Sequence, residues 1–139
     1  MAPGWLLVAL LALLLAVRGG QHLGQRWRRN RYRRAARRSL RRLEAGGHAL
    51  PAQQQLGAAL LVLRDCALGM PGVADAPPPA ERAAWTAFLQ ARLPAGHAFV
   101  SEALLHDAAY WPPERVSRED ARSVLNFVRD WVESHTPPA

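Results

Sequence analysis

The sequence predicts an all-α protein: one N-terminal transmembrane helix, an arginine-rich helical continuation, and a small helical bundle. Three observations predict it. Trp5 to Val17 is a run of thirteen apolar residues, seven of them leucine. Ten arginines follow between Arg26 and Arg42. Beyond them the apolar residues recur at helical spacing, and no stretch alternates as a strand would.

Extended back to Met1, the apolar run covers seventeen residues, about 26 Å of helix at ~1.5 Å per residue. A hydrocarbon core of ~30 Å asks for about 20 residues. The span reaches that length by taking in Gly19, Gly20 and Leu23, with Arg18 near its edge, snorkelling toward the headgroups. Leucines favour insertion by a few tenths of a kcal/mol each, whereas a central Arg would cost ~3 kcal/mol. A cleaved signal peptide fits less well, because no Lys or Arg precedes the run and Ala16-Val17-Arg18 is a poor cleavage site. A mitochondrial presequence would interleave its arginines with the apolar residues. The arginine flank instead reads as a stop-transfer signal, and the positive-inside rule places the N-terminus outside and the chain after Arg26 in the cytoplasm. The expected location is a bacterial inner membrane.

Charge sharpens that division. Residues 1–43 carry eleven arginines and no acid, while residues 44–139 carry seven arginines and eleven acids, so the net +7 conceals a basic arm and an acidic remainder. Spread over one fold, such charge would suggest nucleic acid; confined to one segment, it does not. Every basic residue is Arg, in keeping with an Ala-, Leu- and Pro-rich composition of the kind a GC-rich bacterial genome produces. The single Cys66 excludes an internal disulfide and fits a reducing compartment. The expected organisation is an anchor over residues 1–24, an arginine-rich amphipathic segment over 25–46, and a helical domain over 47–139.

In chain order, Gly19, Gly20 and Gly24 are expected to loosen the end of the span, and Trp27 and Tyr32 to sit at headgroup level. From Tyr32 the pattern is two-faced at 100° per residue. Tyr32, Ala35, Ala36, Ser39, Leu40 and Leu43 share one side, and Arg33, Arg34, Arg37, Arg38, Arg41 and Arg42 share the other. Gly46-Gly47 stops that helix. Gln53 to Leu68 carries a stripe of Leu56, Ala59, Leu60, Leu63 and Ala67, with Leu61 and Leu68 off it, which predicts two covered sides. The prolines from Pro71 to Pro79 enforce a loop. Ala80 to Leu93 forms a third helix with Trp85, Phe88 and Leu89 on one face, and Phe99 to Ala109 a short fourth. In the last helix Ser117 caps the N-terminus with Asp120 three residues on, a variant of the capping box. Ala121, Val124, Leu125, Phe127, Val128, Trp131 and Val132 form its apolar face. Trp131, Trp85 and Phe88 are expected to share one core.

These residues resemble a family. Ala2-Pro3-Gly4-Trp5 opening a leucine-rich span, then Arg26-Trp27-Arg28-Arg29-Asn30-Arg31-Tyr32-Arg33-Arg34-Ala35-Ala36, is similar to a bacterial family of single-span membrane proteins, domain of unknown function 4381. Trp85-Thr86-Ala87-Phe88-Leu89 and Leu104-Leu105 ahead of Ala109-Tyr110-Trp111-Pro112 extend the likeness over nearly the whole chain. Its members tend to be encoded beside MoxR-type AAA+ ATPases and von Willebrand factor A proteins. The resemblance therefore implies an accessory role with those partners, and it supplies no catalytic residue. Members usually carry a further segment ahead of the Ala-Pro-Gly-Trp, so a misassigned start or a lost outer segment is expected here.

The residues themselves argue against an enzyme. His22, His48, His97, His106 and His135 are scattered without ligand spacing, so no metal or other cofactor is expected. His106 and Asp107 are adjacent and point about 100° apart on a helix, a poor dyad. Cys66 reads as a small core residue, and no phosphate-binding loop is present. The functional feature is the basic segment: Arg18, Arg26, Trp27, Arg28, Arg29, Arg31, Tyr32, Arg33, Arg34, Arg37, Arg38, Arg41 and Arg42. Its first expected role is topological. A second is contact with anionic lipid, ~1 kcal/mol per Arg at the surface, fading within about 8 Å. Arginines beyond that reach are left for an acidic protein partner. Nucleic acid is the weakest reading, because the segment abuts a membrane span.

Overall fold

The computed structural model describes residues 3–46, 49–70, 73 and 76–136; within the first stretch, nothing is described of the side chains of Gln25, Arg26, Arg28 and Arg29. His48 and the Gly47 and Pro71-Gly72 breaks therefore lie outside the described residues. The chain forms two compact units, Met1–Arg31 and Tyr32–Ala139. All described regular structure is helical, as the apolar spacing predicts.

Helix α1 is Gly4–Gly46. In its first part, Gly4–Gly24 is long and apolar enough to cross a membrane, at 21 residues or about 32 Å. Its leucines are exposed around the whole circumference. The helix passes through Gly19, Gly20 and Gly24 without interruption, so these glycines do not loosen it enough to break its hydrogen bonds. Each loses about 1 kcal/mol of propensity relative to Ala, too little to end a helix this long.

The second unit is built around α2 (Ala52–Leu68) and α4 (Arg118–Ser134), whose apolar stripes face one another. Leu56, Ala59 and Leu63 of α2 meet Val124, Val128, Trp131 and Val132 of α4 in one buried core. Ala36 and Leu40 of α1 join that core, one turn apart on the inward side of the helix. Ala35 and Ser39 do not; they are exposed, so the buried stripe of this part of α1 is narrower than its sequence pattern. The off-stripe residues Leu61 and Leu68 also stay exposed, Leu61 at 51%. The second side expected to be covered on α2 is open.

Helix α3 (Arg82–Arg92) packs Trp85 and Leu89 inward, and the Trp85 ring stacks on Phe88 at 5.5 Å. Trp131 is fully buried and its indole N–H donates to the Leu89 carbonyl at 3.1 Å. It thereby satisfies a carbonyl near the end of α3, where helical acceptors lack intrahelical donors. The sharing of one core by Trp85 and Trp131 follows the sequence expectation.

The short fourth segment is not an α-helix throughout. Ala103–Asp107 forms a π turn, Ala108–Tyr110 a 3-10 turn and Pro113–Arg115 another. Two residues after Tyr110, Pro112-Pro113 denies the chain the backbone donors a longer helix would need. Helix α4 begins on a complete capping box: the Asp120 N–H donates to Ser117 Oγ, and the Ser117 N–H to the Asp120 carboxylate. Two glycines are required locally. A Cβ on Gly69, after α2, would stand 2.9 Å from the Asp65 carbonyl oxygen and 3.4 Å from Tyr32 Cβ. Gly96 turns the chain at a φ of +92°, which L side chains rarely adopt.

Candidate interaction surface

The basic segment divides by location. Arg18 lies within the apolar stretch and Trp27 is exposed beyond it, with the Arg31 guanidinium 5.9 Å from the Trp27 ring centroid. Arg26, Arg28 and Arg29 occupy α1, and their side chains lie outside the described residues.

From Tyr32 onward α1 runs beside α4 in opposite directions, and side chains tie the two at three levels. At the first level, the Tyr32 hydroxyl lies 2.7 Å from His135 Nε2 and the Arg33 guanidinium donates to the His135 carbonyl at 3.0 Å. At the second, Arg37 makes a two-pronged pair with Glu133 at 2.7 and 2.8 Å. At the third, Arg129 reaches back to Glu44. The structure brings Arg33 and Arg37 against the bundle, and leaves Arg38, Arg41 and Arg42 exposed; Arg34 is exposed as well. One arginine face in the sequence is thus an inner pair and an outer row.

His135 is the innermost polar group of this seam. Its Nδ1 lies 2.8 and 3.0 Å from the carbonyls of Trp131 and Val132. Both are acceptors, so Nδ1 carries the proton and the neutral ring accepts the Tyr32 hydroxyl proton at Nε2. Burial lowers the His135 pKa from its usual 6.5 and the Arg33 charge adds to the depression, against the two backbone hydrogen bonds, which raise it. Burial in turn raises the Tyr32 pKa. The Cys66 thiol is pushed up to about 12 by burial, though Arg33 acts in the opposite sense. A thiol so protonated is a core residue rather than a nucleophile.

His97 and His106 have separate partners. His97 Nδ1 meets the Asp130 carboxylate at 2.8 Å, and His106 Nε2 meets the Thr86 hydroxyl at 2.8 Å. Asp107 turns away from His106 to pair with Arg82 at 2.8 Å. Burial lowers the His106 pKa, and Arg82 lowers it further. Among the described residues, no three of His, Cys, Asp and Glu come together in a way that could hold a metal ion.

Among the described residues, two concavities stand out on the surface of the second unit. The larger, about 640 Å³, lies between α2 and the π turn over Leu60, Leu63, Trp85 and Leu105, with the Arg82–Asp107 pair at its edge. Tyr110 stands beside it, 88% exposed. The smaller, about 340 Å³, is lined by Glu44, Gln55, Arg118, Arg122, Asn126 and Arg129 over Leu125. Arg122, Asn126 and Arg129 lie on the side of α4 away from its apolar face, and helical spacing alone gives them no further role. The signal it passed over is Arg118 with Arg122, like charges one turn apart at a helix start that disfavours cations.

The fold defines the class: an all-α protein with one N-terminal apolar helix of membrane-spanning length, of the kind an anchor or a signal sequence provides. Over residues 1–134 the chain matches the family described as Domain of unknown function (DUF4381), and it belongs to that family. No curated protein and no solved structure matches the chain.

Proposed function

We propose that this protein is a single-pass accessory protein of a bacterial inner membrane, with its N-terminus outside and its helical domain acting as an adaptor in the cytoplasm. The observation that carries the reading is the contrast within α1. Gly4–Gly24 exposes apolar side chains on every side, which water penalises and hydrocarbon does not. The arginines that follow are the flank that holds such a helix in one orientation. The partners in this reading are those the resemblance implies, a MoxR-type AAA+ ATPase and a von Willebrand factor A protein. The reading assigns the domain no catalysis and no cofactor; His97, His106 and His135 are engaged with structural neighbours and Cys66 is buried among them.

Orientation is tested with a reporter fused after Ala139 that works only in the periplasm. It should be silent, and an active fusion overturns the cytoplasmic assignment. Neutralising Arg26, Arg28, Arg29 and Arg31 together should scramble the orientation. The adaptor role is tested by pull-down from mild detergent at moderate salt. An ATPase or von Willebrand factor A protein should be recovered, and it should persist when Arg34, Arg38, Arg41 and Arg42 are changed to Gln. Recovery of nucleic acid alone, lost in that variant, would replace the adaptor by a binder of anionic polymer.

Contact with anionic lipid is a second reading, favoured by the exposed row of Arg38, Arg41 and Arg42. Each contributes ~1 kcal/mol only within about 8 Å of the headgroups.

A further inference from the structure

We infer that the groove between α2 and the start of α4 is a docking site for an acidic peptide segment of a partner protein. The inference deepens the adaptor reading and rests on it for the partner's existence, though not for the chemistry of the site. Three guanidiniums line this groove: Arg118, Arg122 and Arg129. Arg129 is held by Glu44. Arg118 and Arg122 are exposed, and neither makes an ion pair among the described residues. Both stand where a structural role would not put them. They occupy the first two turns of α4, near the positive end of its dipole, and lie one turn apart so that they repel. The acids nearest in sequence do not relieve this: Asp120 is committed to the capping box, and Glu119 makes no ion pair among the described residues. Two like charges kept in a concave site with unused donors are complementary to an anion.

The other lining residues select among anions. Gln55 and Asn126 carry amides, each offering donors and an acceptor. A peptide backbone presents the matching N–H and C=O groups; a phosphate presents acceptors only and leaves the amide oxygens unanswered. The Glu44 carboxylate in the same groove repels a multiply charged phosphate more than a single side-chain carboxylate. Leu125 contributes the apolar part of the lining. Carboxylates of Asp or Glu side chains would bridge Arg118 and Arg122, in the two-pronged geometry that guanidinium favours.

The test uses the full chain in zwitterionic nanodiscs and a fluorescent peptide of alternating Asp and Glu. Binding should weaken as salt rises. It should fall about tenfold for each of Arg118→Gln and Arg122→Gln, the scale of one charge-assisted hydrogen bond. Arg38→Gln with Arg42→Gln, on the other exposed basic surface, should leave it unchanged. The side-chain amide resonances of Gln55 and Asn126 should shift on titration. Absence of binding, equal loss in the Arg38/Arg42 variant, or unmoved amide resonances overturns the site. Displacement of the peptide by an equal concentration of inorganic phosphate, or by phosphatidylglycerol vesicles, overturns the peptide assignment in favour of a phosphate site. Because the variants are on the surface, unchanged melting should accompany them; charge reversal to Arg118→Glu/Arg122→Glu should transfer the preference to an Arg-rich peptide. If the native partner is still pulled down by the double Gln variant, the site fails and the adaptor survives. If the peptide binds but no protein is recovered, the adaptor fails and the site survives.

Discussion

The two parts of helix α1 share a backbone conformation and almost nothing else. Gly4–Gly24 is apolar around its circumference and buries none of it. From Tyr32 to Gly46 the helix is polar on most sides, yet Ala36 and Leu40 are buried in the core with α2 and α4. What matters is where the apolar residues fall. Spread evenly, they leave no preferred side for a protein neighbour and suit a uniform apolar solvent. Gathered at four-residue spacing, two small contacts suffice to seat the helix against a bundle. Nor does the arginine content work against that seating, because Arg33 and Arg37 reach acceptors on α4 from the flanks of the stripe.

The largest effect on this contrast should come from α4, the element against which the second part of α1 rests. Trp131→Ala removes a fully buried indole and its bond to Leu89, and should cost ~3–5 kcal/mol. Thermal melting of the whole protein in detergent should register it, while the helicity of residues 4–24 should persist. An unchanged melting temperature would mean that the core is elsewhere.

Equal substitutions in the two parts of α1 test the comparison directly. Leu40→Ala should destabilise the helical domain by ~2–4 kcal/mol, whereas Leu11→Ala, on the exposed surface of the apolar stretch, should leave the domain's melting unchanged. Similar effects from both would erase the distinction between the two regions.

How far the sequence reveals this arrangement depends on how local the cause is. The helix-start signals at Ser117 and Asp120 and the apolar face of α4 lie within a few residues of each other, and could be read directly. The apolar stretch is a matter of length and composition, and was equally legible. The pairing of Arg33, Arg37 and Glu44 with residues near the end of α4 joins positions 85 to 102 apart in the chain. No spacing rule reaches that far. For the same reason the partners of Arg129 and Glu133 on α1 are not legible in the sequence, although both residues are exposed. The exposure of Leu61 was hidden because a helical pattern does not say how many neighbours a helix has. The π turn at Ala103–Asp107 was read as ordinary helix, since one residue more per turn leaves no compositional trace.

Acid should loosen the seam of the second region and spare the first. The folded-state pKa values of His135 and His106 lie below the usual 6.5, so the unfolded chain takes up protons first. Stability is therefore full above pH 6.5 and falls as pH drops from there toward the depressed folded values. Glu133 adds a loss at lower pH, since its hydrogen bonding with Arg37 holds its carboxyl below the usual 4.5. His135→Gln should flatten the upper part of a melting-temperature profile. A profile equally steep with and without His135 and His106 would remove them as its cause.

The smallest effect concerns a single rung. Arg37 and Glu133 keep 39% and 47% of their side-chain surface exposed, so a double-mutant cycle with Gln at each should give ~1 kcal/mol or less, shrinking in high salt. A coupling well above that would give the charged contacts, rather than Ala36 and Leu40, the main part in seating the helix.

The seating of Tyr32–Gly46 determines where the protein can be cut. A soluble piece that begins after the arginines, at residue 47, has the look of a complete domain in a linear map. It would lose Ala36 and Leu40 from its interior, strip the guanidinium from Glu133 and the carboxylate from Arg129, and leave His135 without its tyrosine. Such a piece should be sticky and easily digested by proteases. One that begins at Tyr32 carries its own cover, and is the smallest portion expected to behave as a well-mannered molecule in solution.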